Sequence, residues 1–169
     1  MKNIVITGFM ATGKSTVGSE LSRMIGAKFI DTDAEIEKRE KLSISEIFEK
    51  YGEQYFRDIE SETALRLSRC ENIIIATGGG MVLRKSNIEN LRKNGIIFLL
   101  DADFADIESH MNPAGSGRPL MDNASREDIL KRFLSRAEFY DNCDYRIKIK
   151  NKSPYMIAKE ISAVYELVK

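Results

Sequence analysis

At 169 residues the chain has room for one domain with a real core and not for two ordinary ones. Lysine plus arginine number 26 and aspartate plus glutamate 26, which excludes the overall basic field that gathers nucleic acid or anionic membrane, so any charged ligand must be recognised locally. Cys70 and Cys143 fit neither a zinc spacing nor a disulfide framework and read as reduced packing residues of a cytoplasmic protein.

In chain order, residues 2–7 are an apolar, β-branched run closed by a glycine, the pattern of a strand buried on both faces. The apolar run is interrupted over 8–16, short of membrane-spanning length and without a cleavage-site pattern, so neither an export signal nor a membrane segment is expected. From Ser15 on, Val17, Leu21, Met24 and Ile25 recur at helical spacing until Gly26 supplies a stop. Residues 28–31 predict a second strand. Ser43 and Glu46 have the spacing of a capping box, and a long helical region follows to about residue 69 with a break expected at Gly52. A third strand is predicted over 72–77, then three glycines, then a helix capped by the Ser86 and Glu89 pair and ended by Gly95. A strand over 96–101, a helix from near Asp103, an aperiodic stretch over 112–123 that reads as a mobile loop and candidate lid, a helix over about 125–141, a strand over 145–149 and a last helix with Ser153 as N-cap and Pro154 at its first position complete the chain. No heptad seam or exposed apolar stripe stands out, so a monomer is expected. Alternating strands and helices imply an α/β fold, a mostly parallel sheet with helices on both faces and ligands at the carboxyl ends of its strands.

Residues 8–15, GFMATGKS, fit the phosphate-loop pattern between a predicted strand and a predicted helix, as the mechanism requires. Backbone N–H groups curled by the glycines would face phosphate oxygens, with Lys14 on the β- and γ-phosphates and the Ser15 hydroxyl on Mg²⁺. Asp31 and Asp33 would point to the same side if the chain stays extended, one serving a magnesium shell and the other accepting a hydroxyl proton; Asp33 as a plain helix cap is the alternative. Arg57 and Glu60 share a helix face, either as a surface ion pair or as a guanidinium fixed to take a ligand carboxylate. Gly78, Gly79 and Gly80 after a buried strand would admit a ligand against the backbone. Arg118 lies in the candidate lid, where a closing loop can deliver positive charge to a phosphoryl group or simply expose it to solvent. Charge alone does not separate Arg136 from Arg126, Lys131 and Arg132 on the same helix, and His110 reads as a solvated residue.

Taken together, GFMATGKST, DTD, FRDIE, TGGG and GRPLM, in this order and at these separations, resemble the shikimate kinase family over essentially the whole chain. That resemblance implies a single P-loop kinase domain over 1–169, similar to nucleoside monophosphate kinases: a three-layer fold on a five-stranded parallel sheet, a substrate-binding region over about 33–61 and a lid over about 112–124. The activity implied is γ-phosphoryl transfer from Mg·ATP to the 3-hydroxyl of shikimate, giving shikimate 3-phosphate and ADP in aromatic amino acid biosynthesis. By matching motif, Ala11, Thr12, Gly13, Lys14, Ser15 and Thr16 would hold ATP phosphates, Ser15 the Mg²⁺ and Asp31 its water shell. Asp33 would bind the acceptor hydroxyl and act as base. Arg57, Gly79 and Arg136 would surround the substrate, with the neighbouring Gly78 and Gly80 completing that turn, and Arg118 would reach the phosphates. Ala11 stands where the family usually carries glycine, and a negative φ is expected there. His110 and Met111 stand where many members place an adenine-stacking arginine, and Lys152, Ser153 and Pro154 resemble the adenine-side loop or, equally, a helix start. Gluconate or nucleotide kinases on the same fold, and a nucleotide-sensing switch, remain competing readings, separated from the first by FRDIE with TGGG.

Overall fold

The computed structural model describes residues 1–111 and 124–169. Asn3–Thr7 (β1), Lys28–Asp31 (β2), Ile73–Ala76 (β3), Gly95–Asp101 (β4) and Tyr145–Lys148 (β5) form one sheet in the order β2-β3-β1-β4-β5, every pair parallel. Parallel neighbours cannot be joined by tight turns, and the crossovers carry Lys14–Ile25 (α1), Thr32–Glu40 (α2), Ile44–Leu67 (α3), Lys85–Lys93 (α4), Phe104–His110 (α5) and Arg126–Tyr140 (α6), with Pro154–Val168 (α7) following β5. The expected five-stranded parallel sheet with helices on both faces is the fold observed. Among the described residues no helix is long and apolar enough to cross a membrane.

Strands β1 and β3 are buried along their whole length, which is why they read as unbroken apolar runs rather than alternating ones. Successive residues nevertheless serve opposite faces. Val5, Ile75, Ile97 and Leu99 pack with Leu67, Leu91 and Ile129 of α3, α4 and α6. Ile4, Ile6, Ile74 and Phe98 pack on the other side with Val17 and Leu21 of α1 and with Ile157 and Ile161 of α7. A separate small cluster of Ile36, Ile47, Phe56 and Ile59 clamps α2 against α3. Both cysteines are free and half-buried against the first face.

Local signals explain most element ends. Gly26 closes α1 at φ 70°, the full capping box of Ser43 and Glu46 opens α3, and Gly52 at φ 81° kinks it. Two expectations need correction. Helix α4 is entered from Arg84 rather than capped by Ser86; the buried Asn87 fixes that entry by donating to Met81 O (3.1 Å) of the preceding 3₁₀ turn, Met81–Leu83. Gly95 does not end α4 but begins β4, where a Cβ would stand 2.7 Å from Leu91 O and 2.9 Å from Val5 Cγ2. Asn94 is the residue that closes the helix.

Candidate active site

Beyond Thr7 the chain leaves the sheet and curls. Gly8 sits at φ 149°, a conformation open to glycine, and a Cβ there would lie 2.9 Å from Thr12 Oγ1. The curl is tied internally: Thr12 Oγ1 donates to Phe9 O (2.8 Å), and Lys14 Nζ donates to Gly8 O and Phe9 O, both at 2.8 Å. Helix α1 begins at Lys14 with no acidic residue in its first turn, so its positive N-terminus faces the loop unneutralised. Ala11 contradicts its expected negative φ: it stands at +61°. That left-handed conformation costs an alanine about 1 kcal/mol, and the His110 ring, whose Nδ1 donates to Ala11 O at 3.1 Å, is one contact that holds it. His110 is therefore a partner of the loop rather than only a solvated residue, and Met111 packs against the core.

Asp31 and Asp33 do not share an extended segment, because α2 starts between them at Thr32. Asp31 is the N-cap, its Oδ1 accepting from Asp33 N (3.0 Å) and Ala34 N (3.3 Å), so the capping role considered for Asp33 belongs to Asp31. Its other oxygen accepts the Ser15 hydroxyl of the loop. Asp33, in the first turn of α2, turns instead to the glycines that follow β3: a Cβ on Gly78 would collide with Asp33 Oδ1 and lie 3.2 Å from Glu60 Oε1. Gly80 is equally close to Arg57, whose Cζ would be 2.6 Å from an added Cβ. Two of the three glycines thus make room for this chain's own charged side chains. At Gly79 nothing lies nearer than Met10 N at 3.5 Å, which sets the glycine turn directly against the phosphate loop. Thr32 Oγ1 accepts from Gly78 N (2.8 Å) and pins that turn to the start of α2.

Arg57 and Glu60 are not a surface pair: they are 7% and 1% exposed. Arg57 Nη1 donates to Glu60 Oε2 at 2.5 Å and Nη2 to Glu53 Oε1 at 3.1 Å. Burial opposes the Arg57 charge, and the two carboxylates outweigh it and hold its pKa up. Burial pushes Glu60 up to about 7, against the pull of Arg57. Arg57 Nε and Glu60 Oε1 are buried with no hydrogen-bond partner among the described residues, an uncommon state for such groups and one a polar ligand relieves. Arg136, 8% exposed on α6, joins the same cluster; burial lowers its pKa, aided by the charges of Arg57 and Arg132. Arg126 turns elsewhere, to Glu108 and the Phe104 ring. Lys152 pairs with Glu160 (2.5 Å), while Ser153 caps α7 and Pro154 is its first residue, so that stretch is a helix start. Arg118 and the expected lid, apart from Ala124, lie outside the described residues.

A family model described as shikimate kinase matches residues 10–166. The chain belongs to the shikimate kinase family. A shikimate kinase from Caldanaerobacter subterraneus subsp. tengcongensis is 44% identical over 166 residues, covering 98% of this chain and 96% of that protein. Among solved structures, the shikimate kinase from Acinetobacter baumannii in complex with shikimate superposes with a TM-score of 0.91 at 30% identity, covering 100% of this chain and 95% of that one. The Aquifex aeolicus shikimate kinase gives 0.82 at 37% identity over 97% and 96%. As a shikimate kinase family member the chain is an ATP-dependent phosphotransferase on a P-loop α/β fold. Two further groups bind this site together, Thr32 and Tyr140, whose hydroxyl donates to Gly79 O at 2.6 Å, and neither residue type marks itself in the sequence. Tyr140 falls one helical turn after Arg136, and that spacing was the available signal.

Proposed function

We propose that this chain transfers the γ-phosphoryl group of ATP to the 3-hydroxyl of shikimate, giving shikimate 3-phosphate and ADP. The observation that carries this is the burial of two guanidinium groups, Arg57 and Arg136, beside Asp33 at a glycine turn that touches the phosphate loop. Arg57 already has Glu60 and Glu53, whereas burial works against the charge of Arg136, and a small carboxylate bridging the two supplies the anion that offsets it. In this assignment Ala11, Thr12, Gly13, Lys14, Ser15 and Thr16 cradle the phosphates. Arg57 and Arg136 take the shikimate carboxylate, the Gly78 to Gly80 turn lies along the substrate, and Asp33 receives the acceptor hydroxyl.

The chemistry needs no covalent enzyme intermediate. The hydroxyl oxygen forms a bond to the γ-phosphorus, the bond to the β,γ-bridging oxygen breaks with ADP as leaving group, and the hydroxyl proton passes to Asp33. Lys14 and, from the lid, Arg118 offset negative charge on the moving group. For Mg²⁺, the Ser15 hydroxyl and the Asp31 carboxylate supply hard oxygen donors already in contact across the loop. No set of three or more His, Cys, Asp or Glu side chains is grouped for a metal among the described residues, which suits an ion that keeps waters and phosphate oxygens. When bound, Mg²⁺ would neutralise charge on the β- and γ-phosphates.

We place these parts in one domain over 1–169, with 33–61 as the substrate region and about 112–124 as a lid whose closure keeps water from acting as acceptor. The enzyme is taken to work as a cytoplasmic monomer on small molecules alone, and gel filtration tests its size. Coupled ADP release measured with shikimate, gluconate and nucleoside monophosphates in turn tests the acceptor. Turnover with shikimate is expected; turnover with only one of the others, or ADP release indifferent to every acceptor, would contradict it.

A further inference from the structure

Tyr140 lies one helical turn beyond Arg136 on α6, so both side chains rise to the same place at the carboxyl edge of the sheet. Its hydroxyl carries one proton, and that proton is given to Gly79 O at 2.6 Å. The phenol oxygen can then only accept from its other side, and the buried Arg136 guanidinium is its charged neighbour there. The donor order is one-way: Tyr140 donates to Gly79, and toward Arg136 the phenol oxygen can only accept, because a carbonyl cannot donate and a guanidinium cannot accept. On its face the Tyr140 ring meets Phe9 edge-on, with centroids 6.4 Å apart and planes at 83°. Phe9 is the loop residue whose carbonyl accepts both Thr12 Oγ1 and Lys14 Nζ. One phenol therefore touches the substrate-side arginine, the glycine turn and the phosphate loop.

We infer that Tyr140 is a positioning residue for the acceptor: it holds the Arg136 guanidinium and the Gly79 carbonyl in one fixed relation, so that carboxylate and hydroxyl of the substrate meet pre-aimed partners. This rests on the assignment of Arg136 to the shikimate carboxylate. A guanidinium on a flexible stem, crowded by the like charges of Arg57 and Arg132, needs a neutral acceptor to aim it, and the phenol is that acceptor. Burial keeps the phenol protonated by pushing its pKa up to about 12, so the donor order holds across the neutral range.

Tyr140→Phe removes the hydroxyl and keeps the ring against Phe9. Initial rates are expected to show the KM for shikimate raised about tenfold, the worth of about one hydrogen bond, with the KM for ATP within about twofold of wild type. A general loosening of the fold would raise both together. As a second variant, 3,5-difluorotyrosine at position 140 retains ring and hydroxyl but acidifies the phenol. Above the rise that Glu60, which faces the same phenol together with Arg57 and Arg136, sets near neutral pH, its KM for shikimate should show a second, alkaline climb at a lower pH than in the wild type, because a phenolate neither donates to Gly79 nor leaves Arg136 free for a carboxylate. This variant decides the matter if Tyr140→Phe fails to fold. Shikimate turnover with an unshifted KM in Tyr140→Phe, equal rises in both KM values, or an unmoved pH profile in the fluorinated protein would overturn the inference alone. Absence of shikimate turnover in the wild type would overturn the assignment beneath it as well.

Discussion

Glu60 is the most constrained ionisable side chain of the site, facing Arg57 on its own helix, Asp33 on α2 and Arg136 on α6. Its pKa is raised by burial from 4.5 to about 7, so the folded protein retains a proton that the unfolded chain releases. The associated stability is therefore fully present below the ordinary glutamate value and is lost as pH rises through about 7. On the proposed assignment, a substrate carboxylate arriving at Arg57 and Arg136 adds negative charge beside Glu60 and favours that proton further. The KM for shikimate should then rise severalfold between about pH 6 and about pH 8, and Glu60→Gln should flatten the rise in initial-rate profiles. Arg57→Ala should raise the shikimate KM by about 100-fold with the ATP KM within about threefold, and Arg57→Lys should not restore it, since an ammonium cannot reproduce the fork that Glu60 and Glu53 hold. The residue types at Arg57, Glu60 and Asp33 were visible in the sequence. That Arg57 and Glu60 are buried was not, because spacing along a helix says which residues share a face and not what covers that face.

At the scale of elements, the strands and most helix ends follow from local chemistry: apolar runs, the capping box at Ser43 and Glu46, the left-handed stop at Gly26. The same kind of signal misleads at Ser86 and Gly95, where a buried asparagine and a tight approach of α4 to β1 set the boundaries instead. Both causes are tertiary and leave no period in the sequence. The triple glycine is the instructive case. It reads as open backbone for a ligand, yet Gly78 and Gly80 are filled by Asp33, Glu60 and Arg57 of the chain itself. Gly80→Ala should accordingly displace the Arg57 guanidinium and raise the shikimate KM at least about tenfold, whereas Gly79→Ala, whose Cβ meets only ordinary contacts, should leave the melting temperature within about 2 °C of wild type. Thermal melts and initial rates on the two variants separate these outcomes.

For the whole molecule, the parallel sheet brings the phosphate loop, Asp31 and the glycine turn to one edge, because β1, β2 and β3 lie side by side and end together. Helices α3 and α6 then supply the buried arginines from the side where the first core cluster packs. The loop after β1 and the glycine turn beside Arg57 thus meet at Met10 and Gly79, the juxtaposition that the proposed in-line transfer needs. The most direct measurement is phosphorus NMR of the protein incubated with Mg·ATP and shikimate. One new phosphomonoester resonance per ADP formed, absent when shikimate is left out, is the predicted result; ADP accompanied only by inorganic phosphate would contradict the account.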